Sequence, residues 1–151
     1  MRRLRVDDFD FVRELAAKQS NFTIPPPYVL WLLTRVRGDI CLVAEEEGAG
    51  PVAYLLAVPV EKPQNAFYVW QLAARPNARS HVSVLPLLKK LFEITESQEI
   101  SSMFFSAIPN SAAFRRIRRY ARTVWSATPK VTSTLSGIVA PGEVEYRIDL
   151  R

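Results

Sequence analysis

The sequence predicts an α+β fold: one mixed, mostly antiparallel sheet flanked by helices. Two observations predict it. Short alternating apolar runs bounded by Gly, Pro and Asn recur through the chain, and stretches of helical period interrupt them. The resulting order, β-α-α-β-β-β-α-β-α-β-β, suits helices packed on one sheet. A length of 151 residues suits a single domain with one core over 1–151.

Taken in order, "RRLRV" (2–6) reads as a first strand. The "DD" at 7–8 caps a helix over 9–19, with Phe9, Val12, Leu15 and Ala16 on one face. The three prolines of "NFTIPPP" (21–27) require a loop. "YVLWLLTRVRG" (28–38) is a second, strongly apolar helix ended by Gly38. Strands follow at 39–47, 51–60 and 66–74, with turns at "GAG" (48–50) and "KPQN" (62–65).

A helix then carries Leu85, Leu88, Leu91, Phe92 and Thr95 inward and Lys89, Lys90, Glu93 and Glu96 outward, with Ser83 as its cap and Pro86 in its first turn. "ISSMFFSAI" (100–108) is a buried strand, and "PNSAAFRRIRRYAR" (109–122) is a basic helix burying Phe114, Ile117 and Ala121. The last strands are expected at 123–127 and 143–150, joined by a long loop over 128–142.

About half the residues are apolar and 23% are charged, an ordinary globular balance. No apolar run is long enough to span a bilayer, and no signal peptide is read at the N-terminus. Cys41 is the only cysteine, which excludes an internal disulfide and a cysteine-rich metal site. A cytoplasmic location is expected. The net charge of +5 is a mild basic bias, open to phosphate-bearing ligands or acidic proteins, with nucleic acid a distant third.

The stretch "YVWQLAARPNARSHVSVLPLLKKLF" (68–92) is a strand, a basic loop and a helix, a layout suited to a phosphate cradle. With its surroundings it resembles the GNAT N-acyltransferase superfamily. Within that superfamily the resemblance is strongest to the 2,4-diaminobutyrate acetyltransferase branch of ectoine synthesis. "PPYVLWLL", "LVAEEE", "FYVWQLAARPNAR", "NSAAFRRIRRYAR" and "GEVEYRI" run in the order of that branch's motifs over nearly the whole length.

The resemblance implies transfer of an acetyl or other acyl group from acyl-CoA to an amine. It places Arg79, Ser80, Val82, Ser83 and Val84 at the pyrophosphate, with Ser80, Val82 and Val84 where the family has glycines. Backbone N–H groups near Leu72 and Ala74 would orient the thioester carbonyl. Asn110 would start a helix beside the pantetheine arm. Glu143 aligns with a terminal acidic residue and would serve as base, with Glu145 on the same strand face. Trp70 and Tyr28 would contact the amine, helped by cation–π attraction.

Thr23, Pro25 and Ala140 replace polar residues of the branch, which argues against diaminobutyrate as the substrate. His81, the one histidine, reads as an exposed loop residue. Arg115, Arg116, Arg118, Arg119 and Arg122 crowd one helix and form a candidate surface for an acidic protein. Two readings remain open: an N-acyltransferase, and a catalytically inactive GNAT-fold protein acting through that arginine helix. A homodimer is compatible with either.

Overall fold

The fold comes from a computed structural model that describes residues 1–76, 80–134 and 141–150, without the side chains of 80–83 and 134. The strands are β1 (Arg2–Arg3), β2 (Leu42–Glu46), β3 (Gly50–Val60), β4 (Ala66–Ala74), β5 (Ser102–Ala107), β6 (Lys130–Thr134) and β7 (Val144–Asp149). The helices are α1 (Phe9–Ala17), α2 (Pro27–Val36), α3 (Ser80–Ser97) and α4 (Ala112–Val124), with a 3-10 turn at Val6–Asp8. Hydrogen bonding orders the seven strands β1-β2-β3-β4-β5-β7-β6. β4 and β5 pair in parallel, which requires a crossover, and α3 supplies it. The β1/β2, β2/β3, β5/β7 and β6/β7 pairs are antiparallel. The expected α+β fold and element order are therefore present.

Contacts divide the chain into two compact units, with β4 shared between them. The first holds residues 1–58 and 70–94. Its core gathers Phe9, Phe11, Val12 and Leu15 of α1, Leu30 and Leu33 of α2, and Val43, Tyr54, Leu56 and Ala73 of the strands. The expected face of α1 is the buried one, with Phe11 added. Asp8 anchors the chain start. It is 2% exposed, accepts two hydrogen bonds from the Arg2 guanidinium at 2.6 and 2.7 Å, and takes a third from the Arg5 N–H at 2.8 Å. Gly38 follows α2 where a Cβ would lie 2.7 Å from the Thr34 carbonyl oxygen, so only glycine fits.

The second unit holds residues 59–69 and 95–151. There α4 lays Phe114, Ile117 and Ala121 inward, as its spacing predicts. Phe105 stacks on Tyr146 at 5.3 Å, and Phe114 meets the same ring at 4.6 Å.

Several expectations are corrected. β1 is two residues long because the chain turns into the 3-10 helix at Val6. α3 is already helical at Ser80, so Ser83 does not cap it and Pro86 lies inside it, withdrawing one backbone bond. Its inward stripe is Val84, Leu87, Leu88, Leu91, Ile94 and Thr95; Leu85, expected inside, is 51% exposed. Residues 123–127 are not a strand. α4 continues to Val124, and the Trp125 and Ala127 N–H groups both return to the Ala121 carbonyl around a left-handed Ser126. The strand on the other side of β7 from β5 is β6, which lies inside the expected loop.

Candidate active site

In the second unit, β4, β5 and β7 lie side by side and expose one polar face. Tyr68 pairs in register with Phe104, and Ser106 with Glu145. Alternation puts Tyr68, Phe104, Ser106 and Glu145 on the face opposite Phe105 and Tyr146, which α4 covers. Tyr68 is half-buried and hydrogen-bonded to Ser106. Burial holds its phenol above the usual range, and the charges of Glu145 and Glu143 push the same way. The phenol therefore stays protonated at neutral pH.

Glu143 precedes β7, directly after Gly142 at φ 83°, and is 9% exposed. The turn and the start of the ladder bring it to the face that carries Tyr68. Glu145, two residues on, accepts a 2.6 Å hydrogen bond from the Thr132 hydroxyl of β6. Strand alternation in the sequence predicts both carboxylates on one face. It misses Tyr68, Ser106 and Thr132, whose partners lie on other strands and leave no local spacing signal.

In the first unit the expected residues separate into different surroundings. Trp70 is partly buried against the core cluster. Tyr28 is 67% exposed on α2, stacked on Trp31 at 5.8 Å, with the Arg35 guanidinium over the Trp31 ring at 5.5 Å. Leu72 and Ala74 are half-buried on β4, past the Ala66–Val69 segment that pairs with β5. Gln71 is buried and holds the loop ahead of α2 through the Thr23 carbonyl.

A groove of about 450 Å³ runs between α1, the β2–β3 hairpin and Arg75–Pro76, lined by Phe11, Glu14, Lys18 and Glu46. Arg75 lies over the Phe11 ring at 5.2 Å.

Of the expected cofactor residues, Arg79 lies outside the described residues, as do the side chains of Ser80, His81, Val82 and Ser83. The backbone at Ser80, Val82 and Val84 is helical, a conformation that L-residues adopt without strain. The freedom of glycine is thus not required there, and Val84 turns its side chain into the core. Only the N–H groups of the first turn lack a partner within the helix, the kind of donor a phosphate can use; the Val84 N–H, one turn in, is taken up by the helix. Asn110 is exposed with φ 62° and is not the helix cap. Ser111 caps α4, its hydroxyl accepting from the Phe114 N–H at 3.2 Å. The arginines of α4 are all exposed, and none meets a carboxylate among the described residues.

Among the described residues no group of ligating side chains could hold a metal, and no helix is long and apolar enough to cross a membrane.

No protein-family model matches the chain. Its fold is that of the GNAT N-acyltransferases. The structure is similar to diaminobutyrate acetyltransferase from Paenibacillus lautus in complex with L-2,4-diaminobutyric acid and coenzyme A (TM-score 0.78, 20% identity, 98% of this chain and 92% of that one). It is also similar to ribosomal-protein-alanine N-acetyltransferase from Brucella melitensis (TM-score 0.66, 18% identity, 97% and 96%). In sequence the chain is 24% identical over 127 residues to L-2,4-diaminobutyric acid acetyltransferase of Shouchella clausii, covering 84% of this chain and 71% of that protein. The expected likeness to the GNAT superfamily, near the diaminobutyrate acetyltransferases, is present. Nothing in these relatives supports the inactive alternative.

Proposed function

We propose that the chain is an acyl-CoA-dependent N-acyltransferase acting on a small amine or amino acid. The observation that carries the reading is the buried Glu143, whose charge acts on the Tyr68 phenol, on the fold of enzymes that perform this chemistry. Acyl-CoA supplies the acyl group, with Arg79 and the first-turn backbone of α3 at its phosphates and Asn110 beside its arm. Glu143 takes the proton that the amine nitrogen sheds as it bonds to the thioester carbonyl carbon. The carbon–sulfur bond breaks, and the sulfur gains a proton on leaving. By the resemblance alone, backbone N–H groups near Leu72 and Ala74 would orient the carbonyl, and Trp70 and Tyr28 would contact the amine.

The substrate differs from diaminobutyrate. Thr23 lends its carbonyl to Gln71 and Pro25 is buried, so this loop offers no carboxylate to an ammonium at those positions. The test is turnover of acetyl-CoA with a panel of small amines. Glu143→Gln should abolish turnover and spare acetyl-CoA affinity; undiminished turnover would remove Glu143 from the mechanism.

A separate observation favours a protein partner. Arg115, Arg118, Arg119 and Arg122 share one arc of α4, with Arg116 beside it, over about 10 Å of helix. That length suits a short acidic segment of another protein.

A further inference from the structure

Strand β6 is irregular where it passes Glu145. Val131 pairs with Tyr146 and Ser133 pairs with Glu145, so Thr132 is an extra residue on the β6 side. A bulge re-aims one side chain and interrupts the ladder. Here the re-aimed group is a hydroxyl, and Thr132 Oγ1 donates to Glu145 Oε1 at 2.6 Å, the short length of a charge-assisted bond. Glu145 has no ion pair among the described residues, and the nearest cation on its own strand, Arg147, is bound to Asp149. Across β5 it faces Ser106, which is hydrogen-bonded to Tyr68. Glu143 lies about 7 Å away along the chain, and both carboxylates act on the Tyr68 phenol.

We propose that Glu145 is a further substrate-contacting residue of the acyl transfer and that Thr132 is its positioning residue. The proposal rests on the acyltransferase reading. An amine held by one carboxylate still pivots about that contact. With Glu145 accepting one N–H and Glu143 receiving the proton of another, the nitrogen lone pair has one direction left, toward the thioester carbon. Such orientation is a large part of what converts binding into rate. The Thr132 hydroxyl limits the rotamers of Glu145 and occupies Oε1, leaving Oε2 for the amine.

The test is steady-state kinetics of Thr132→Val, Thr132→Ser and Glu145→Gln, using acetyl-CoA and the amine that the wild-type protein acetylates best. Acetyl-CoA calorimetry is run on each protein. Valine keeps the β-branched shape and loses only the hydroxyl. Thr132→Val should raise the KM for the amine and lower kcat, each about tenfold, because a binding contact and the orientation it gives are lost together. Thr132→Ser should restore the wild-type KM. Glu145→Gln should be at least as impaired as the valine variant, with acetyl-CoA affinity unchanged in all three. A wild-type KM in Thr132→Val overturns the proposal. So does a serine variant as impaired as the valine one, because the methyl group rather than the hydroxyl would then be responsible. A wild-type protein with no affinity for acetyl-CoA sinks the acyltransferase reading, and this proposal with it.

Discussion

Gln71 joins β4 to the loop ahead of α2: its Nε2 donates to the Thr23 carbonyl at 2.7 Å, while the Tyr54 hydroxyl donates to its Oε1 at 2.9 Å. Tyr54 is fully buried, and burial holds its phenol well above the usual range, so it remains a donor throughout the neutral range. Gln71→Leu leaves that donor unpartnered inside the core and frees the loop. We expect a loss of about 2–3 kcal/mol and a melting temperature lower by roughly 5–10 °C. A melting curve by circular dichroism that overlays the wild type would show that the bond carries no stability.

The Arg2–Asp8 pair gives a second prediction. Asp8 is buried and takes three donors, two of them from Arg2. The same guanidinium also pairs with Glu45, and these bonds hold its pKa above the ordinary arginine value. Arg2→Ala strands a buried carboxylate and should cost about 3–5 kcal/mol. Adding Asp8→Asn to that variant should recover part of the loss, since the stranded charge is gone. Equal stability of Arg2→Ala and wild type in urea would contradict the account.

Cys41 sits under β3 with its thiol donating to the Ala57 carbonyl at 3.4 Å. Burial pushes the thiol up to about 11. At pH 8 it should therefore be inert to a disulfide reagent such as DTNB, and react only on unfolding. The sign of the linkage follows. The unfolded thiol ionises near its ordinary value of 9.0 while the folded one does not, so its contribution to stability is full below that pH and is lost as pH rises toward 11. Cys41→Ala should flatten that part of the stability–pH curve. Rapid labelling of the folded protein at pH 8 would refute the enclosure.

The arginine face of α4 should be neutral for folding. Replacing Arg115, Arg118, Arg119 and Arg122 together by Gln should shift stability by no more than about 0.5 kcal/mol per site. The same variant should lose salt-dependent association with a poly-glutamate peptide, measured by fluorescence anisotropy. Undiminished association would place the acidic partner elsewhere.

Much of the fold was legible because its signals are local. The alternation of "AFYVWQLAA" sets β4 to the residue, and the 3–4 spacing of Phe114, Ile117 and Ala121 sets the buried face of α4. The errors arose where composition settles neither the buried face of a helix nor its end. Val84 and Leu87 take the inward stripe of α3 from Leu85, a face set by the core that the helix packs on. "TVWSA" has strand composition, yet it is consumed by the end of α4 because Trp125 and Ala127 return to Ala121. The site was half legible. Glu143 follows from the resemblance to the acyltransferase branch and Glu145 from strand alternation beside it, whereas Tyr68, Ser106 and Thr132 join them only through the register of β4, β5, β6 and β7.

The central claim, that this chain uses acyl-CoA, is tested most directly by calorimetric titration with acetyl-CoA. The account predicts saturable binding at one site per chain, with a Kd on the order of 1–100 µM, as suits a metabolic co-substrate, and turnover when an amine is added. No heat of binding at millimolar acetyl-CoA, from protein shown to be folded, would contradict it.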